Sequence, residues 1–449
     1  MIDRRAFVAG TLALTTAGRV QAQTPDSRGG WATADAILAR IQPPSFRAAT
    51  FSILDFGAKP GVPAQQAVAA AISACAEAGG GSVLIPAGLW LMNGPIHFRS
   101  NIDLHLERGA ILRFGKPGEI DLPIVLTRWE GTDVNNISPL IYARDCENIA
   151  ITGEGMLDGQ GREGFRKWRG KQSADKSALR EMGASGVPVA DRQFGPGNFL
   201  RPAFVQFFEC RNILIDGPRF IDSPFWTIHP VYSRNITVRN VTVVSKHLNS
   251  DGVDPDSCED VLIERCRFDV SDDCIAIKSG RDQDGRRVAR PTRNVIIRDC
   301  DMSTNVAGAI AIGSEMSGGA SNIFAERLYV RRAKQAVYIK GNLDRGGVIE
   351  DVWIRDVKVA SSEKLIDVTT DYHGGRQGQS PPTYRRFVIE RVTCANTAQA
   401  ISIRGVSKAP VQDVLLSNLT VGTSMLPDKI AHTRDLRFER VRINGRILT

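Results

Sequence analysis

Asn235-Ile-Thr-Val238 and Asp260-Val-Leu-Ile263 are two copies of one phrase. An Asn or Asp, a residue type at home in turns, stands before a short run of aliphatic and β-branched residues. The phrase reads Asn148-Ile-Ala-Ile and Asn212-Ile-Leu-Ile upstream. Downstream it reads Asn294-Val-Ile-Ile, Asn322-Ile-Phe-Ala, Asp351-Val-Trp-Ile, Asp413-Val-Leu-Leu and Asp435-Leu-Arg-Phe. Most copies lie roughly 22 to 34 residues apart, the interval of a solenoid that lays down several strands per turn. Uneven intervals between strands this rich in Val and Ile suit a parallel β-helix better than a helical repeat. Parallel crossovers make its hand right. The expected fold is all-β, a right-handed parallel β-helix spanning residues 48–449.

The flanks add detail. Pro63 opens and Gly79-Gly80-Gly81 stops an Ala-rich helix from Ala64 to Ala78, followed by a strand from Ser82 to Pro86. A short helix there caps the end of the stack, which would otherwise invite edge pairing. Residues 23–47 read as a loose leader with one short helix, Trp31 to Ile41, ended by Pro43-Pro44. The long interval between Ile149 and Asn212, which includes Gly155 to Gly197, is expected to hold loops beside a cleft. At the N-terminus, Arg4-Arg5-Ala-Phe7 leads into an uncharged run, Ala6 to Gly18, too short to span a bilayer, and Val20-Gln-Ala22 offers a cleavage site. Residues 1–22 resemble a twin-arginine export signal. No later stretch is long and apolar enough for a membrane helix, so a periplasmic or secreted protein without a membrane anchor is expected.

The net charge of +8 is spread as single Arg residues, with no basic stripe, which argues against nucleic acid. A mildly basic surface can attract an acidic polymer, and reads at least as well as a solvated surface with excess Arg. The 8 cysteines show no Cys-x-x-Cys pair and no His at ligand spacing, which argues against zinc. Buried free thiols are the expectation for them, ahead of disulfides. No metal and no cofactor is expected.

Between His247 and Gly280 stand Asp251, Asp272 and Asp273, about one repeat apart. In a coiled chain such a spacing puts them on adjacent parallel strands, roughly 5 Å from one another. Carboxylates so crowded cannot all titrate normally, and acid/base chemistry is the commonest use of such a group. Any one of them, like Asp254, reads as well as a corner residue, and a calcium site is another use of clustered acids. Strand alternation points Ile275 and Ile277 inward and Asp272, Cys274, Ala276 and Lys278 outward, with Asp273 in the turn before the strand. Lys278 and His229 are candidates nearby.

Asp55-Phe-Gly-Ala58, Gly153-Glu-Gly-Met-Leu-Asp-Gly-Gln160, Ser223-Pro-Phe-Trp-Thr-Ile-His229, Asn249-Ser-Asp251, Asp272-Asp273 and Gly313-Ser314-Glu315 together resemble the glycoside hydrolase family that contains polygalacturonases, in its bacterial branch. The resemblance implies a hydrolase of galacturonate-containing, pectin-type polysaccharide that acts by inversion. It makes Asp272 the acid that protonates the leaving oxygen, and Asp251 and Asp273 the pair that holds and deprotonates water. Inversion wants acid and base about 6.5–9.5 Å apart. Asn249, Lys340, Tyr338, Lys278, His229 and Arg281 are the expected substrate contacts. Two departures stand out. The family's Gly-His-Gly reads Ala307-Gly308-Ala309, and its Arg-x-Lys reads Tyr338-Ile339-Lys340, with Arg281 and Arg345 as replacement cations. The lost Arg points to a sugar other than plain galacturonate past the cleavage point. A calcium-dependent lyase and a catalytically impaired carbohydrate-binding protein are the alternatives, and a monomer is the default.

Overall fold

The computed structural model describes residues 30–373 and 378–448, so the export signal expected at residues 1–22 lies outside them. From Thr50 onward the chain winds as a right-handed parallel β-helix. The repeated phrase stacks in register: Ile149 on Ile213, Ile236, Val261, Val295, Ile323, Val352, Phe387, Val414 and Leu436. Each of these is the first apolar residue of its phrase, and all but Leu436 are fully buried in one core. Burial of each stabilises the stack by about 1.5–3 kcal/mol.

The Asn or Asp before each run has a backbone reason to be there. All of those in the repeated phrase take φ between +51° and +60°, the left-handed conformation these residues tolerate best. They also form a ladder. Asn212 Nδ2 donates to Asn148 Oδ1 at 2.9 Å, and Asn235 Nδ2 to Asn212 Oδ1 at 2.9 Å. One coil escapes the sequence pattern. In Thr383–Arg404 the corner residue is Arg386, also at positive φ, and its guanidinium pairs with Asp351 at 2.7 Å.

The ladder is interrupted at Asp260, which has no proton to donate to Asn235. There the leader enters. Asn235 Oδ1 accepts from Gln42 N at 3.0 Å, its Nδ2 donates to Gln42 O at 2.8 Å, and Arg40 pairs with Asp260 at 2.6 Å. Helix α1 (Gly30–Arg40), together with Ile41, packs Ala34, Ile37 and Ile41 on Leu262, Ile296, Phe324 and Trp353. From Gly30 on, the leader is therefore fastened across four coils rather than loose, because its apolar stripe meets an apolar stripe of the sheet. Helix α2 (Gln65–Glu77) buries Val68, Ala71, Ile72 and Cys75 in the main core and caps the first coil, as its sequence implied. All 8 cysteines are free and buried.

One face of the solenoid positions the site. Its rungs are linked by Val205 to Ile228, Ile228 to Val253, Val253 to Ile275, Ile275 to Ile310 and Ile310 to Val337. Two additions cover the earlier rungs. One is an antiparallel hairpin, Ile124–Trp129 with Thr132–Ile137. The other is the segment between Asp158 and Val205, which carries helix α3 (Ser173–Ser185).

Candidate active site

Where the hairpin ends, an open cleft of about 600 Å³ begins, with Asp251, Asp272 and Asp273 in its lining. Asp251 and Asp273 each stand two residues before a rung, and those rungs are hydrogen-bonded to one another. Gly252 N donates to Asp273 O at 3.0 Å and Val253 N to Cys274 O at 3.1 Å. One oxygen from each of the three carboxylates lies within 4.8 Å of the others. Asp272 is held by Asn249 N on Oδ2 at 2.9 Å and by Asp273 N on Oδ1 at 3.1 Å. Asp273 accepts from Lys340 Nζ on Oδ2 at 2.6 Å and from Gly308 N on Oδ1 at 2.7 Å. Asp251 Oδ1 is buried with no hydrogen-bond partner.

These surroundings raise the proton affinity of Asp272 and Asp251. Burial, followed by the charge of Asp273, pushes the Asp272 carboxyl above its ordinary range, while Lys340 pulls against this. Burial, Asp272 and Asp254 push Asp251 well above it. Asp254, one rung position away and fully buried, is pushed up by burial despite Lys278 at 3.7 Å. Among the described residues, the trio is the cluster whose ligand atoms suit a metal ion. The ammonium of Lys340 already occupies one carboxylate, and a calcium ion wants about 6–8 oxygen ligands, so the site fits acid/base work better than a cation.

The other expected contacts divide. Asn249 lines the cleft, and its side-chain oxygen accepts from Arg201 at 2.7 Å. Lys278 and Arg281 line it too, converging on Glu315 at 3.3 and 2.8 Å. Burial opposes the charge on Glu315, but Lys278, Arg281 and Arg345 outweigh it and hold the carboxyl well below its ordinary range. His229 is not in the cleft. The hairpin roofs it: Arg128 O accepts from Gln206 Nε2, and that amide meets His229 Nδ1 at 2.9 Å, with Asp256 at 3.4 Å on the other ring nitrogen. Tyr338 stands beside the lining rather than in it, its ring 6.2 Å from that of Tyr372, which does line the cleft. Cys274, expected to point outward, is in the core, because the strand begins only at Ile275 and the turn before it breaks the alternation.

Several residues went unread in the sequence. Arg201 is completely buried; besides Asn249 it bonds Gln172 Oε1 at 3.0 Å and Leu248 O at 3.2 Å, tying the turn that leads to Asp251 to the covering segment. Burial draws its guanidinium down to about 10. Arg169, Lys176 and Arg180 reach the cleft from that segment, and Tyr372 and His373 from the opposite side. None sits in the repeated phrase, the one signal that could have placed them.

The chain is 27% identical over 411 residues to a probable polygalacturonase of Vitis vinifera, covering 87% of this chain and 77% of that one. It is 24% identical over 340 residues to an endo-polygalacturonase of Pectobacterium carotovorum subsp. carotovorum, covering 73% and 76%. Among solved structures, an exopolygalacturonase from Thermotoga maritima superposes with a TM-score of 0.89 at 37% identity, over 93% of this chain and 97% of that one. The polygalacturonase from Erwinia carotovora ssp. carotovora, at 21% identity and a TM-score of 0.68 over 88% and 98%, shares the fold. The model of glycosyl hydrolases family 28 matches residues 125–436, and with the geometry above it identifies this chain as a glycosidase belonging to that family.

Proposed function

We propose that the chain is an exported, exo-acting hydrolase of galacturonate-containing pectic chains that inverts the anomeric carbon. The carrying observation is the trio of acids within 4.8 Å of one another on a cleft floor bordered by cations. Asp272 gives its proton to the glycosidic oxygen as the C1–O bond breaks. A water held between Asp251 and Asp273 attacks C1 from the opposite face and loses a proton to that pair. The spacing is shorter than the separation typical of two-carboxylate inverting enzymes. It matches a single water instead: two hydrogen bonds of about 2.7 Å reach oxygens about 5 Å apart. Asp273, with both oxygens committed to Lys340 and Gly308 N, is poorly placed to become a covalent nucleophile.

Exo attack is supported by the hairpin and covering segment, which close the cleft on the side of the earlier coils, and by the likeness to the Thermotoga exopolygalacturonase. Export is supported by Arg4-Arg5 and the apolar run after it. No helix among the described residues is long and apolar enough to cross a membrane. An N-terminus at residue 23 in protein recovered outside the cytoplasm is the check on export, and full-length protein retained inside would refute it.

The central test is product analysis on polygalacturonate. Monogalacturonate as the first product, with inverted configuration by NMR and no product from Asp272→Asn, is the expected result. Full activity in Asp272→Asn, a retained anomer, or an unsaturated product absorbing in the ultraviolet would each overturn the mechanism.

A further inference from the structure

The cations around the cleft are not equally available. Lys340 is spent on Asp273, Lys278 and Arg281 on Glu315, and Arg180 on Glu130 at 2.8 Å. Arg345, the second replacement cation expected from the sequence, is 2% exposed; its Nε bonds Ser314 O at 2.6 Å and another arm pairs with Asp282. Two cations remain. Among the described residues, Arg169 and Lys176 line the cleft without an acidic partner, and both stand on the covering segment at its closed end.

A uronate carboxylate brought into a cleft loses hydration that only an unspent cation or several donors can replace. At the closed end that replacement exists. On the far side of the acids a sugar meets instead the ring of Tyr372 and an ammonium, Lys340, already neutralised by Asp273. An aromatic ring reads the apolar face of a sugar and not its charge.

We propose that Arg169 and Lys176 are the specificity-determining cations. They bind the carboxylate of the terminal uronic acid at the closed end, so the enzyme demands a free acid on the sugar it releases. Beyond the scissile bond it tolerates a methyl ester or a neutral sugar. This rests on the exo-hydrolase reading above.

Binding of trigalacturonates to the Asp272→Asn chain, followed by calorimetry, tests it without turnover. A methyl ester on the sugar that the active enzyme releases should weaken binding tenfold or more, whereas an ester on its neighbour should cost less than threefold. The double change Arg169→Gln and Lys176→Gln should reproduce the tenfold loss for the free acid and add nothing once that sugar is esterified. In the active enzyme the same pair should raise KM with kcat changed less than threefold, and Arg169→Lys should restore part of the loss. An equal or larger penalty at the neighbour, or unchanged affinity in the double variant, overturns the assignment while leaving exo hydrolysis intact. No affinity for any oligogalacturonate overturns the reading beneath it as well.

Discussion

Gly308 and Tyr338 share one space. A Cβ on Gly308 would lie 3.1 Å from Cβ of Tyr338 and 3.1 Å from Oδ1 of Asp273. The two departures from the family pattern, His to Gly and Arg to Tyr, therefore meet in three dimensions. Restoring the His alone should overpack the site. Gly308→His is expected to lower stability by about 1–3 kcal/mol in denaturant titration, with Tyr338→Gly in the same chain, which removes the facing Cβ, recovering part of it. A single variant as stable as the parent would show that the two positions are independent.

Lys340 holds Asp273 and, from further off, lowers the proton affinity of Asp272. Replacing it with Gln removes a positive charge, so the Asp272 carboxyl rises further. With Asp272 as the proposed general acid, the proton donor then stays protonated to higher pH. The basic limb of the kcat/KM profile should move upward, while the maximum falls about 10²-fold or more as the water-holding pair loses its anchor. A basic limb that stays put or moves down would take the proton donor's role away from Asp272.

Asp254 has both side-chain oxygens buried without a hydrogen-bond partner, and burial raises its proton affinity well above that in the unfolded chain. A carboxyl raised on folding costs nothing below its unfolded pKa, near 4, and costs progressively more as pH climbs toward its folded value. Asp254→Asn should therefore melt higher than the parent at pH 8, and the two melting curves should converge toward pH 4. A difference independent of pH would mean that Asp254 acts through packing alone.

Helix α1 is held by an apolar stripe and by Arg40 on Asp260, outside the main core. Ile37→Ala removes its most buried aliphatic, with a local cost of about 2–5 kcal/mol. Limited proteolysis should then cut between Arg40 and Arg47 at temperatures where the coils stay folded by circular dichroism. Simultaneous loss of both would make the helix part of the global unfolding unit.

The coils were legible because each one reuses a corner with positive φ, and Asn or Asp signals that corner. Where Arg386 fills it, the coil was invisible. The three acids were legible because adjacent rungs repeat their spacing. His229 was misjudged because nothing in the residues 124–137 announces a hairpin folded back over it, and burial of a histidine depends on what lies above it. Arg169 and Lys176 were unreadable for a related reason. Their segment has no counterpart in the stack, so only three dimensions bring it to the cleft.

The bonds from Gly252 N to Asp273 O and from Val253 N to Cys274 O have a consequence for how such a protein can change. The two acids are ruled by the main chain, so their separation moves in whole steps of about 4.8 Å or not at all. Point substitutions can tune the acidity of this centre without being able to stretch it. Its reaction is therefore frozen by geometry, and what remains free to drift is the fringe: the hairpin, the helix-bearing segment and the corner loops, whose lengths the stack does not dictate. Diversity among proteins built this way should be sought in what they admit and release, far more than in how they cut.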